Sequence, residues 1–259
     1  MDPARPVVLI LAGLDPSGGA GLVADVATVA RRGLHPAAVT TALTVQDSRL
    51  CGLVSPVPPE LVRQMLEAVI ADLPIAAVKI GMLGRAAVAE IVAAAIAPLS
   101  GRGVPVVLDP VLRATSGAAL VDDPEAALAP LRPLTTLLTP NRDEAIRLGA
   151  MAAAEGPDQA RAAAALRQRG WGAVLVKGGH FDGDPAIDLL DDGEGPPLRL
   201  EGPRRRGPSP HGTGCALSTE IACALAAGEP LRRAVLLGHQ RLVERLAAAR
   251  AIGQGRDFL

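Results

Sequence analysis

The chain has 259 residues, 49% of them hydrophobic and 1% aromatic, and a formal net charge of -1. That much apolar material fills one large domain, read here as 1–259. Two Phe, one Trp and no Tyr leave no stacking platform for single-stranded nucleic acid, and the near-neutral charge gives no field for a polyanion.

Cys51, Cys215 and Cys223 are too scattered for a disulfide framework or a zinc site. The apolar run over 7–11 is too short for a signal-peptide core, and no stretch reaches the roughly 20 residues of a membrane span. A cytoplasmic address, with no membrane or nucleic-acid partner, is the expectation.

Short β-branched runs alternate with longer amphipathic ones, the signature of βαβ units around a parallel sheet. A strand over 7–11 runs into Ala12-Gly13-Leu14-Asp15-Pro16-Ser17-Gly18-Gly19-Ala20-Gly21, which opens a helix over 21–32. This turn fits neither G-x-G-x-x-G nor a Walker A pattern. It is either a tight strand-to-helix connection or a loop whose backbone meets an anion at a helix N-terminus. After a strand over 38–43 come Gln46 and Asp47. A side-chain amide offers a donor and an acceptor in one plane, as an aminopyrimidine edge requires, although a Gln there is ordinarily a surface residue. A helix over 60–72 shows Leu61, Met65, Leu66 and Val69 on one face. Then follow a strand over 77–80, a helix over 86–97, and a strand over 104–108 whose Val106-Val107-Leu108 reads as buried on both faces. Asp109-Pro110-Val111 comes directly after it.

A strand over 137–139 leads through Pro140 and Asn141 into a helix over 142–148. Glu144 stands where a capping box would put it; the other reading has Asn141 and Glu144 facing a hydrated Mg²⁺ on nucleotide phosphates. A helix over 157–169 and a strand over 173–176 precede Lys177-Gly178-Gly179-His180. The chain has two lysines, Lys79 and Lys177, against 24 arginines, and a Lys followed by two glycines suggests a compact charge near a phosphate. From 181 to 210 the rhythm breaks, with strand candidates only over 187–190 and 198–200. This reads as a small antiparallel excursion at the sheet edge, followed by Arg204-Arg205-Arg206, either a solvated run or a phosphate contact. His211-Gly212-Thr213-Gly214-Cys215 opens a helix over 214–227, and a last helix spans 231–251. Gly212 and Gly214 let backbone N–H groups converge as an anion hole, which suits a transferring phosphoryl group. Cys215 falls in the first helical turn, where the dipole lowers a thiol's pKa toward the range of a general base; a buried inert cysteine is the alternative, and is the reading for Cys223. Ligands of open α/β sheets bind beyond the carboxyl ends of the strands, so all these segments are expected at one edge.

In series, Asp15-Pro16-Ser17-Gly18-Gly19-Ala20-Gly21, Thr41-Ala42-Leu43-Thr44-Val45-Gln46, Lys79-Ile80-Gly81-Met82-Leu83, Leu108-Asp109-Pro110-Val111, Thr139-Pro140-Asn141, Lys177-Gly178-Gly179-His180 and His211-Gly212-Thr213-Gly214-Cys215 resemble the hydroxymethylpyrimidine/phosphomethylpyrimidine kinases of thiamine biosynthesis. The resemblance runs from about Val7 to Ala251. It implies a ribokinase-like three-layer α/β/α sandwich with a mostly parallel central sheet. It also implies ATP and Mg²⁺ as cofactors, a small pyrimidine substrate and a homodimer. On the same resemblance Cys215 deprotonates the substrate hydroxyl, and Gly212, Thr213 and Gly214 complete the anion hole. Gln46 holds the aminopyrimidine, with Gly13, Asp15, Met82 and Val111 lining it. Lys177, Asn141, Asp109 and His211 fall to the nucleotide, and Glu144 with Asn141 to the metal.

Two positions depart from the family pattern: Thr115 stands where a Lys is usual, and Pro210 where a Thr is common. Pyridoxal kinases share the superfamily and are the second reading; Gln46 favours the pyrimidine, because pyridoxal lacks a paired ring-nitrogen and amine edge. A reading of another class is a non-catalytic pyrimidine-binding regulatory protein, against which the set Cys215, Lys177, Asn141 and Glu144 argues.

Overall fold

The computed structural model describes residues 5–112, 123–150, 158–181, 184–204, 207 and 209–259. Among them nine strands make one sheet: β1 Val7–Leu14, β2 His35–Gln46, β3 Cys51–Pro56, β4 Ile75–Ile80, β5 Val106–Leu108, β6 Leu137–Leu138, β7 Ala173–Val176, β8 Ala186–Asp191 and β9 Leu198–Gly202. Their order is β3-β2-β1-β4-β5-β6-β7-β8-β9. Every pairing from β2 across to β7 is parallel, while β3 at one edge and β8 and β9 at the other are antiparallel. The helices are α1 Gly21–Arg31, α2 Pro59–Asp72, α3 Ala86–Ser100, α4 Pro124–Leu128, α5 Arg142–Arg147, α6 Gln159–Gln168, α7 Thr213–Ala226 and α8 Leu231–Ala248.

Successive strand residues face opposite sides of a sheet, and the core divides accordingly. Val7, Leu9 and Leu11 of β1, Val78 and Ile80 of β4, and Val106 and Leu108 of β5 pack with Leu66 of α2 and Val92 of α3. Val8 and Ile10 of β1 and Val107 of β5 pack on the other side with Leu22 of α1, Ile221 of α7 and Val235 of α8. Three layers result, helix–sheet–helix. Among the described residues no helix is long and apolar enough to cross a membrane.

The predicted parallel strands and the antiparallel excursion are all present, the excursion as β8 and β9. Several features differ from the sequence reading. β2 runs on to Gln46, so the glutamine ends the strand rather than following it. β3 was not anticipated: Gly52 and Pro56 interrupt a six-residue run, and its pairing comes from β2, with Val45 opposite Leu53. The last helix ends at Ala248 instead of reaching 251, and residues 249–259 fold back, with Phe258 bridging both His211 and Arg250. α4 and the 3-10 turn Ala129–Leu134 also carried no sequence signal, being short and broken by Pro130 and Pro133. The helix expected over 157–169 begins at Gln159, capped by the Asp158 carboxylate, which accepts from Arg161 N at 3.0 Å; Pro157 lies outside the described residues.

Candidate active site

The carboxyl ends of β1, β2, β4, β5, β6 and β7 deliver Gly13, Gln46, Met82, Asp109, Asn141 and Lys177 to one cavity of about 330 Å³, closed from the far side by the loop and first turn of α7.

At one end the chain builds a polar cluster. Asp15 follows β1 and is 3% exposed. Its carboxylate accepts from the backbone N–H groups of Ser17 at 2.9 Å and Ala20 at 3.0 Å, which tie down the glycine-rich turn. His211 Nε2 lies 2.7 Å from Asp15 Oδ2 and 3.0 Å from Gln46 Nε2. Burial pushes the Asp15 carboxyl up, but the hydrogen bonds from His211 and Ser17 outweigh it and hold the pKa below the usual range. With its Nε2 so engaged, Gln46 keeps its carbonyl oxygen for a donor. The walls beside this cluster include Met82, Val111 and Gly13; a Cβ at Gly13 would lie 2.1 Å from Met82 Cε. His211, expected on the nucleotide side, thus meets Asp15 and Gln46.

In the middle lies the start of α7. Gly212 is its N-cap in the left-handed region (φ 77°), a conformation suited to glycine, and supplies no side-chain cap. The first-turn N–H groups of a helix have no intrahelical acceptor and here open on the cavity. Gly214 is hemmed in as well: a Cβ there would sit 3.1 Å from Lys177 Nζ and 3.4 Å from Asp109 Oδ2. Cys215 lines the same cavity, in the first turn of α7. Its thiol does not titrate as the helix position suggested. Burial pushes it up to about 11, against the opposing charge of Lys79.

At the other end Lys177 Nζ lies 2.7 Å from Asp109 Oδ1 and 3.6 Å from Glu144 Oε2. Burial disfavours the ammonium, yet the carboxylates of Asp109 and Glu144 raise its pKa, and it stays charged. Asn141 and Glu144 do form a capping box: Asn141 Oδ1 accepts from Glu144 N at 2.9 Å, and Glu144 Oε2 accepts from Asn141 N at 2.7 Å. Burial lifts the Glu144 carboxyl to about 7, with Lys177 pulling the other way. Among the described residues no group of three or more His, Cys, Asp or Glu side chains could hold a metal. Arg204 lines the cavity and donates to Phe181 O, whereas Arg205, Arg206 and Thr115 lie outside the described residues.

With this geometry the chain can be set beside known proteins. A profile of the phosphomethylpyrimidine kinase family matches residues 15–258. The chain belongs to the phosphomethylpyrimidine kinase family. A hydroxymethylpyrimidine/phosphomethylpyrimidine kinase of Rhizobium meliloti is 42% identical over 255 residues, covering 96% of this chain and 94% of that one. The crystal structure of an ADP complex of Bacillus subtilis pyridoxal kinase matches with a TM-score of 0.86 at 27% identity, over 98% of this chain and 96% of the other. A phosphomethylpyrimidine kinase from Clostridium difficile matches with a TM-score of 0.76 at 29% identity, over 93% and 100%. The sandwich is therefore ribokinase-like.

The cavity also has neighbours that sequence reasoning missed. Asp25 and Thr219 lie beneath it with Lys79, all three buried. Asp188, Gly202, His239, Leu242 and Val243 extend the cavity beyond Lys177. The tail 249–259 forms an outer wall at the Asp15 end: His211 N donates to Asp257 O at 2.8 Å, Arg256 N to Ser48 O at 3.0 Å and Gly255 N to Ser48 Oγ at 3.1 Å. Lys79 was visible as one of two lysines; Ile252-Gly253-Gln254-Gly255 is similar to the family's ending, but its place against Ser48 and His211 was not anticipated.

Proposed function

We propose that the chain is a cytoplasmic kinase of thiamine biosynthesis that transfers the γ-phosphoryl group of ATP to 4-amino-5-hydroxymethyl-2-methylpyrimidine and/or its monophosphate. One observation carries this reading: a single cavity holds a hydrogen-bonding end (Gln46, Asp15, His211) and a cationic end (Lys177), with Cys215 and the glycine-rich start of α7 between them. A small heteroaromatic ring and a nucleotide triphosphate would meet over Cys215.

In this reading the Gln46 carbonyl oxygen accepts from the amine of the aminopyrimidine edge, and Gly13, Asp15, Met82 and Val111 enclose the ring. Cys215 Sγ takes the proton of the substrate hydroxyl as its oxygen bonds to the γ-phosphorus. The first-turn N–H groups of Gly212 to Cys215 hold the charge on the transferring group. Lys177 and Asp109 steady the nucleotide phosphates. Asn141 and Glu144 offer oxygen donors without a full protein cage, which fits Mg²⁺ held through its waters; the ion would neutralise phosphate charge there. Along the hairpin of β2 and β3, Leu43, Val45 and Leu53 are 51%, 63% and 58% exposed, which supports a homodimer covering that face.

Pyridoxal phosphorylation is the second reading, favoured by the TM-score of 0.86 to the Bacillus subtilis pyridoxal kinase. The deciding experiment is ADP release from Mg-ATP with hydroxymethylpyrimidine, its monophosphate and pyridoxal in parallel, products identified by mass. Turnover of either pyrimidine is expected. Turnover of pyridoxal alone would overturn the substrate assignment, and binding of the pyrimidine without any turnover would overturn the kinase.

A further inference from the structure

Lys79 stands in a row where nothing else is polar. It pairs with Ile10 of β1 and Val107 of β5, both core residues on the α1/α7 side of the sheet. It is 0% exposed to solvent, its Nζ 2.5 Å from Asp25 Oδ2 of α1. The other oxygen, Asp25 Oδ1, accepts from Thr219 Oγ1 at 2.7 Å. Thr219 is one helical turn beyond Cys215, and residues four apart share a face of a helix. The pair is therefore clamped under the face of α7 that carries the thiol. Gly81 lets the ammonium approach the wall of the cavity: a Cβ there would lie 3.0 Å from Lys79 Nζ.

A buried ion pair is poor at stabilising a fold, since apolar residues of similar volume commonly do as well. Its position against Cys215 gives it another use. The charged groups acting on the sulfur are Lys79 from β4, Asp25 from α1, Asp109 beyond β5 and Lys177 beyond β7. Lys79 and Cys215 line the same cavity, and the charge of Lys79 acts on the thiol in the direction of ionisation.

We propose that Lys79 is a positioning residue for the base, a fixed ammonium held by Asp25 and Thr219 that stabilises Cys215 in its thiolate form. The inference rests on the reading of Cys215 as the base. The thiol first releases its proton to water. In the transfer step the thiolate takes the hydroxyl proton of the substrate, the substrate oxygen bonds to the γ-phosphorus, and the bond from that phosphorus to the β–γ bridging oxygen breaks, leaving its electron pair on ADP.

The test is the rate of Cys215 alkylation by iodoacetamide in the full chain, followed by mass between about pH 7 and 9.5, where the rate tracks the thiolate fraction. Lys79→Met is expected to slow Cys215 alkylation about tenfold at a given pH, the equivalent of one pK unit, while Cys51 and Cys223 react as before. The variant's kcat should fall by a similar factor and its pyrimidine Kd stay within about threefold, a split that disrupted packing would not give. If the lone Asp25 carboxylate prevents folding, Lys79→Met with Asp25→Asn replaces it, and a slowed Cys215 is still expected because the ammonium that faces the cavity beside the thiol is gone. Unchanged Cys215 alkylation in the folded variant would overturn the role of Lys79. Full turnover by Cys215→Ala would instead remove the base, a separate failure that the alkylation rates do not report.

Discussion

Lys177 and Asp109 are joined across the strand ends by a 2.7 Å ion pair, and Gly214 is the residue that lets the start of α7 lie against it. Gly214→Ala would put a methyl group between the anion hole and that pair. The chain should fold, because the backbone at 214 needs no left-handed conformation. The backbone N–H at 214 is kept, but the methyl crowds Lys177 and Asp109, and turnover should drop by about 10²-fold, the cost of misplacing the reacting groups by about 1 Å. Steady-state kinetics on a variant of normal melting temperature checks it; a loss below tenfold would argue against phosphoryl transfer at this spot.

Cys215→Ala should leave pyrimidine affinity largely intact and lower turnover by about 10²–10⁴-fold, the range of a general base. Calorimetric titration with the pyrimidine and single-turnover kinetics separate the two effects.

The thiol's elevated pKa sets a pH dependence of definite sign. Burial disfavours the thiolate and lifts Cys215 to about 11, so near neutrality the sulfur of the free protein keeps its proton. The ionised fraction grows tenfold with each pH unit below that value. Log kcat/KM should therefore rise with unit slope from about pH 6.5 to 8.5, since this parameter follows the free enzyme. A flat profile would mean that the base is not this thiol.

Gln46→Ala should raise the KM for the pyrimidine about tenfold or more, because His211 and Asp15 lose a partner as the ring loses its pairing edge. The KM for ATP should hold steady, and equal effects on both substrates would misplace the ring.

Glu220 tests the scaffold apart from the chemistry. It is 0% exposed, takes two hydrogen bonds from Arg32 at 2.7 and 2.8 Å, and has Arg241 and Arg245 at 3.6 and 3.7 Å. Glu220→Ala leaves the cations without a counter-ion, and a loss of about 3 kcal/mol in urea unfolding is expected. A loss under about 1 kcal/mol would show that solvent already screens them.

Much of this site was legible because its parts are local. Strand runs such as Val106-Val107-Leu108 announce themselves by being apolar on both faces, and the residues just after them fall at the ligand edge by topology alone. What stayed hidden depends on partners far along the chain. Lys79 stood out by type, but its carboxylate is 54 positions away, and His211 finds Asp15 at a distance of 196. Nothing near His211 could assign it to one end of the cavity. β3 was missed for a related reason: a six-residue run holding Gly52 is a strand only because β2 is there to pair with it. The Cys215 pKa was read from helix position alone, and burial, which the sequence does not display, decides it.

The tail that seals the Asp15 end gives the molecule two stabilities in place of one. Residues 249–259 are held to the body by a handful of hydrogen bonds with His211, Ser48 and Arg49, and by the edge of the Phe258 ring on His211. Releasing them takes no strand from the sheet and unwinds no helix, so it costs less than global unfolding. In rising urea, affinity for the pyrimidine should be lost before the far-UV signal changes, and the His211 amide should exchange its proton ahead of those in β1.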